Sequence, residues 1–285
     1  MSRICDINCP INYNDIFVTA EFEKTVSVWS MIKMEKLATF DTVMDFGGSR
    51  LAVIPTENPL VVAGAYERYG VCGYNAITGG LLWQRKDLKK VQIIRWMPIS
   101  SKGVLVGAGF DTKPYLILNA LTGETEQSLR GVREVYLHEN GEFAIQTTDS
   151  EVRLCNLPDW KVAWKKKGRL NRAAFNDEQV LLTWADGTRC FNLNGQELWN
   201  VENNFMEITW HKKLGHWLGI QHFGNRNEGK GMEIVQLDTN GDVVFKTNIG
   251  LTSSWGFFAD GGHLVTSSGE VLSIPELEIV WDLNQ

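Results

Sequence analysis

Short apolar runs, broken every few positions by Gly, Asn, Asp or Pro, fill the chain from end to end. In "RLAVIPTENPLVVAGAYERYGVCGYNAITGGLLWQRK" (residues 50–86) they read as four strands, "RLAVI", "PLVVAGAY", "GVCGYNA" and "LLWQRK", rich in β-branched and aromatic residues. Runs of this length between turn formers are strands. No segment keeps a 3.6-residue apolar period long enough for a helix. The pattern predicts an all-β protein.

The same pattern recurs. "YNAITGGLLW" (74–83) has sister segments in "VSVWSMIKMEKLATF", "LILNALTGETEQSL", "RLCNLPDWKVAW", "RCFNLNGQELW", "EIVQLDTNGDVVF" and "VLSIPELEIVW". In chain order the seven close on Phe40, Trp83, Leu129, Trp164, Trp199, Phe245 and Trp281. A second landmark keeps the same phase, a polar or Pro corner at Pro10, Pro55, Pro98, Glu139, Asp177, Lys212 and Asp260. Repeats of about 40 residues with four strands each are the signature of propeller blades. The expected architecture is a single seven-bladed β-propeller with four antiparallel strands per blade. Its blades fall near 1–46, 47–90, 91–132, 133–168, 169–203, 204–250 and 251–285, and either chain end can supply the strand that closes the ring.

The spacing Asn75-x-x-Thr78-Gly79-x-x-x-Trp83 resembles the blade motif of quinoprotein-type propellers. Phe257-x-x-Asp260-Gly261 and "VSVW" at 26–29 resemble WD40 repeats. The resemblance spans nearly the whole chain and implies fold rather than activity. Quinoprotein enzymes of that kind combine eight blades with a secretion signal, adjacent cysteines and a calcium site. Seven repeats, no apolar leader and the separated Cys5 and Cys9 do not carry that activity over. No cofactor is expected.

Composition narrows the picture. The 11 Trp residues suit a fold that buries large flat side chains between blades. Five cysteines at scattered positions (5, 9, 72, 155 and 190) fit reduced thiols rather than a disulfide framework. With no signal-like amino terminus and no apolar run of membrane-spanning length, the expected location is the cytoplasm. A net charge of −6 disfavours general nucleic-acid binding.

Catalytic motifs are missing: no HExxH, CxxC pair, P-loop, GxSxG or EF-hand pattern occurs. His216 and His222 lie about 20 Å apart if they share a strand, too far for one metal ion. The five histidines read as corner or surface residues, and no metal site is expected. Trp96, Trp210 and Trp255 fall on inner strands near the channel.

The loops carry more information. The connections that lead from one blade to the next are basic in three successive blades. They contribute Arg85, Lys86, Lys89 and Lys90, then Arg130 and Arg133, then Lys165, Lys166, Lys167, Arg169 and Arg172. On an acidic chain this arc attracts an acidic protein surface. The longest inner connection, in the sixth blade, adds Phe223, Asn225, Arg226 and Lys230. The sequence therefore points to a non-catalytic protein-binding propeller acting through one loop face, with a bacterial inhibitor or immunity-type protein as one concrete form. The competing reading is an enzyme or small-ligand binder at the channel mouth, built from Asp111, Lys113, Asp149, Asp186 and Arg226. The fold expectation is open to far-UV circular dichroism. A strand-dominated spectrum is expected, and an appreciable helical signal would contradict the propeller.

Overall fold

The computed structural model describes residues 4–9, 15–21, 24–44, 50–64, 69–91, 93–97, 103–107, 114–223, 231–248, 255–257, 262–266, 268–274 and 276–285. Among these residues there are 28 strands and no helix. They form seven four-stranded antiparallel sheets, each from consecutive strands. The first holds β1 (Ile4–Asn8), β2 (Ile16–Glu21), β3 (Thr25–Ser30) and β4 (Glu35–Asp41). The second holds β5 (Arg50–Ile54), β6 (Leu60–Gly64), β7 (Val71–Asn75) and β8 (Leu81–Arg85). The third holds β9 (Ile93–Met97), β10 (Gly103–Gly107), β11 (Tyr115–Asn119) and β12 (Thr125–Leu129). The fourth holds β13 (Glu134–Leu137), β14 (Phe143–Thr147), β15 (Glu151–Asn156) and β16 (Lys161–Lys167). The fifth holds β17 (Arg172–Phe175), β18 (Gln179–Trp184), β19 (Gly187–Asn192) and β20 (Glu197–Val201). The sixth holds β21 (Glu207–His211), β22 (His216–Phe223), β23 (Gly231–Leu237) and β24 (Val243–Asn248). The last holds β25 (Trp255–Phe257), β26 (His263–Thr266), β27 (Glu270–Ser273) and β28 (Ile279–Asp282).

Burial explains why the runs are apolar without alternating. The second strands β2 and β6 are buried nearly throughout, because each sheet lies between two others. The outer strands β12 and β24 are largely exposed. Apolar cores bridge each sheet to the next. Val28 and Met44 meet Val53 and Tyr74, and Leu181 and Cys190 meet Trp217 and Val235. A further core joins last sheet to first through Phe17, Trp29, Val265 and Trp281. Trp29 lies 5.6 Å edge-on from Trp281, and its indole donates 2.9 Å to the Thr19 hydroxyl. Among the described residues no strand is shared between these two sheets, and this core packs across the junction.

One local device repeats in every sheet. The pairing of third with fourth strand slips by one residue, giving a β-bulge in all seven. The fourth-strand residue just after the slip is Ala38, Trp83, Gln127, Trp164, Trp199, Phe245 or Trp281. Four residues earlier, the hairpin turn holds a residue at positive φ: Met34, Gly79, Gly123, Trp160, Gly195, Gly241 or Leu277. Three of these rings lie on the turn of the following sheet. Trp83 lies so close over Gly123 that a Cβ there would fall 2.5 Å from the ring, and its indole donates 2.8 Å to the Ala120 carbonyl. Trp164 meets Gly195 and Trp199 meets Gly241 in the same way. Between the third and fourth sheets the sizes are reversed, with Trp160 donating 3.1 Å to Gln127.

Two of the aligned closing residues need correction. Gln127, not Leu129, is the third sheet's equivalent of Trp83, and Ala38, not Phe40, is the first sheet's. An alignment on large apolar residues lands two positions late, since side chains two apart share a face. Phe40 nevertheless reaches Gly79. Of the corner residues, Pro55, Glu139, Asp177 and Lys212 lie between first and second strands, whereas Pro10, Pro98 and Asp260, like Pro275, fall outside the described residues.

The wedge makes a testable contrast. Gly131, at φ 69°, has nothing near its missing side chain, while Gly195 lies under Trp164. Gly131→Ala should cost about 1 kcal/mol for the left-handed conformation alone. Gly195→Ala should lose about 2–4 kcal/mol, because the ring must also shift. Urea unfolding of the two variants checks the order.

Candidate functional site

First strands meet first strands between neighbouring sheets, as β1 lies beside β5 and β25, β5 beside β9, and β17 beside β13 and β21. The first strands therefore line the middle of the ring. Antiparallel pairing puts the sheet-to-sheet connections and the second-to-third-strand connections at one common end.

That end carries the basic arc, and the structure divides its residues into two kinds. Arg85 closes β8 and is bound twice to Asp87, at 2.8 and 2.7 Å, while its other nitrogen donates 2.7 Å to the Gly123 carbonyl of the next sheet. The Arg85 hydrogen bonds hold the Asp87 carboxyl below its usual range. Arg133 pairs with Asp149. Lys165 shares Glu151 with Arg153, and the Arg153 hydrogen bond lowers the Glu151 carboxyl. Lys166 sits 4.9 Å over the Phe191 ring. Arg172, on the inner strand β17, donates to Glu207 of β21 at 3.1 and 3.0 Å. Lys90 takes the left-handed conformation at φ 59° in the connection after β8. Lys86, Lys89, Arg130, Lys167 and Arg169 are exposed and have no ionic or hydrogen-bonding partner among the described residues.

The inner strands hold a group that the loops did not announce. Asp6 and Asn8 of β1 accept the Leu51 and Val53 amides of β5, at 3.2 and 3.0 Å. Arg95 of β9 donates 2.8 Å to the Val135 carbonyl of β13 and stacks 4.7 Å over Tyr136. The single Tyr136 hydroxyl proton is shared between the Glu134 carboxylate and the Asn171 carbonyl, and burial raises its phenol well above the usual range. Burial alone would lower the Arg172 guanidinium, but the Glu207 carboxylate raises it. A first strand has one unpaired backbone edge, and at β5, at β13 and just before β17 these side chains meet it from the preceding sheet. Their signal in the sequence is a polar residue at alternate positions of a first strand, as in "ICDIN" and "EVY".

The remaining candidates are dispersed. Asp186 is tied to Arg189 at 2.7 Å. Phe223 ends β22 opposite Gly231, while Asn225, Arg226, Lys230, Asp111 and Lys113 lie outside the described residues. Buried His138 bridges the Asn176 carbonyl at 2.9 Å and the Asn140 amide at 3.1 Å, and His211 accepts the Leu214 amide. Trp210 packs 4.9 Å from Trp217, and Trp96 joins the core between second and third sheets. The side chain of Trp255 falls outside the described residues. None of the five cysteines is in a disulfide among the described residues. Burial lifts the Cys5 and Cys155 thiols to about 11 and Cys190 to about 12, which keeps them protonated and unreactive. Among the described residues no cluster of His, Cys, Asp or Glu has the makings of a metal site.

The geometry has solved counterparts. The C-terminal WD40 domain of Sif2 matches at a TM-score of 0.66 and 11% identity, over 97% of this chain and 83% of that one. The fold is a WD40-like, quinoprotein-like β-propeller. BamB from Moraxella catarrhalis matches it at a TM-score of 0.62 and 9% identity, over 92% of this chain and 81% of BamB. No protein family and no curated protein matches the propeller by sequence. At such identities the likeness concerns the fold alone.

Asp6 gives the inner wall a pH signature. Burial lifts its carboxyl from 3.8 to about 6, against the opposing pull of Arg50 and the Ile7 and Leu51 amides. A carboxyl with a raised folded pKa favours the fold while protonated, so stability falls as pH climbs from about 4 to 6. Asp6→Asn keeps an acceptor for Leu51 and removes the charge. It should match the native chain near pH 4 and exceed it by about 1–2 kcal/mol at neutral pH, a figure reduced because the channel side of Asp6 is partly solvated. Denaturant titrations at the two pH values check the sign.

Proposed function

We propose that the chain is a non-catalytic binding propeller that holds an acidic protein surface against the sheet-to-sheet connections of its second, third and fourth sheets. The observation that carries this is the set Lys86, Lys89, Arg130, Lys167 and Arg169, exposed and without ionic partners among the described residues, on three successive connections at one end of the ring. Cations left unpaired in a row on an acidic chain create a local positive potential that steers a negative partner. The inner-strand groups support the rim over the channel mouth, because Arg95, Glu134, Tyr136, Arg172 and Glu207 are engaged with one another or with backbone.

In this reading each four-stranded sheet is one blade of a seven-bladed domain over residues 1–285, with the boundaries expected from the repeats. The bridging cores, including the one between last and first sheets, support that reading. The protein works in the cytoplasm, and a bacterial inhibitor or immunity-type protein is the concrete form that fits a rigid scaffold with a charged rim.

The test is affinity capture from native lysate with the wild-type chain and with Lys86, Lys89, Lys167 and Arg169 changed to Glu. Arg85 and Arg172 stay untouched because they bind neighbouring sheets. A stoichiometric partner should be captured by the wild type, weaken with added salt, and bind the variant at least about tenfold less. Capture of no partner, or capture indifferent to the reversal, overturns the reading.

A further inference from the structure

Three turns of the chain contain an Asn-Gly pair: Asn140-Gly141, Asn194-Gly195 and Asn240-Gly241. Such a pair can react with itself in water. The glycine amide nitrogen attacks the carbonyl carbon of the asparagine side chain, its proton passes to solvent, and ammonia leaves to close a five-membered succinimide. Water then opens the ring at either carbonyl, giving an aspartyl or an isoaspartyl link. The net change is an amide plus water to a carboxylate plus ammonium, with nothing oxidised or reduced. Glycine permits the attack because no Cβ crowds its nitrogen.

The structure separates the three pairs. All three asparagines are exposed, and each glycine amide donates to a turn carbonyl, at 3.0 Å for Gly141, 2.9 Å for Gly195 and 3.2 Å for Gly241. Each turn must therefore open before attack. The side chains differ. Glu142 holds both ends of the Asn140 carboxamide, which donates 3.0 Å to its carboxylate and accepts its backbone amide at 2.8 Å. The Asn240 carboxamide hydrogen-bonds the Asp238 carboxylate. The Asn194 carboxamide has no hydrogen-bonding partner among the described residues, so nothing holds it back from Gly195. Charge points the same way. The attack passes through an anion, which a nearby carboxylate destabilises. Glu139 and Glu142 flank Asn140-Gly141, and Asp238 and Asp242 flank Asn240-Gly241, whereas residues 192–196 carry no charge.

We propose that Asn194 is a site of self-modification, the pair that converts first to succinimide and isoaspartate, and that its conversion loosens the joint between the fourth and fifth sheets. Gly195 lies under Trp164, where a Cβ would fall 2.8 Å from the ring, and the Leu193 carbonyl accepts the Trp164 indole at 3.0 Å. The Asn192 carboxamide oxygen gathers the Asn194 and Gln196 amides at 3.1 and 3.0 Å. An isoaspartyl link lengthens the main chain by one carbon between these anchors, so the turn no longer presents Gly195 to the ring. An aspartyl link adds only an exposed charge.

Prolonged incubation of the full chain in mildly alkaline buffer tests this, followed by peptide mapping that resolves aspartyl from isoaspartyl forms. Asn194 should convert at least about fivefold faster than Asn140 or Asn240, as two flanking carboxylates imply. The rate should rise with pH, because the glycine amide must give up its proton. The isoaspartyl fraction should unfold at lower urea than fresh protein. Asn194→Gln should resist that loss on incubation, and fresh Asn194→Asp should keep the native midpoint, since it carries the charge on an unaltered backbone. Faster conversion at Asn140 or Asn240, no conversion at Asn194, an isoaspartyl fraction as stable as fresh protein, or equal loss in Asn194→Gln overturns the proposal.

Discussion

A flat aromatic ring laid on a hairpin glycine of the next sheet is the contact on which the structure depends. A four-stranded sheet has no closed core of its own, so it gains stability only by burying its faces against others. The ring of Trp83, Trp164 or Trp199 fills the widening gap at the rim, where sheets that radiate from a centre diverge. Its indole hydrogen also satisfies a turn carbonyl, which ties the edge of one sheet to the loop of the next. The β-bulge preceding each such position turns the outer strand and aims the ring. One residue at positive φ, one bulge and one ring thus form a joint that can be repeated.

The inner wall solves a different problem with different residues. First strands present an unpaired backbone edge to the channel, and Asp6, Asn8, Arg95 and Tyr136 reach across to cover it. The rim joint is apolar because its gap is closed to water. The channel joint is polar because backbone groups there need partners. Charge left over from both tasks collects on the connecting loops, which is why Arg85 and Arg172 behave as structure while Lys86, Lys167 and Arg169 stay available.

Much of the fold was legible because its repeat leaves two marks per sheet, a turn glycine or asparagine followed by an aromatic, and a corner. The misreadings have a single cause. Leu129 and Phe40 stand on the same face as the true rim positions, so hydrophobicity alone cannot separate residues two apart on a strand. The bulge that settles the register is a property of strand pairing. The candidate site was legible only as a list of cations. Which of them are occupied depends on acids such as Asp149 and Glu207, distant along the chain and neighbours only after folding.

The sequence by itself determined the strand content, the repeat and its phase, because short apolar runs and the turn chemistry that bounds them are local. It also determined the absence of recognisable catalytic motifs. Tertiary structure alone decided which large residue meets which small one and which cations are paired. Those outcomes depend on contacts between one sheet and the next, where Gly123 has meaning only under Trp83 and Gly195 only under Trp164.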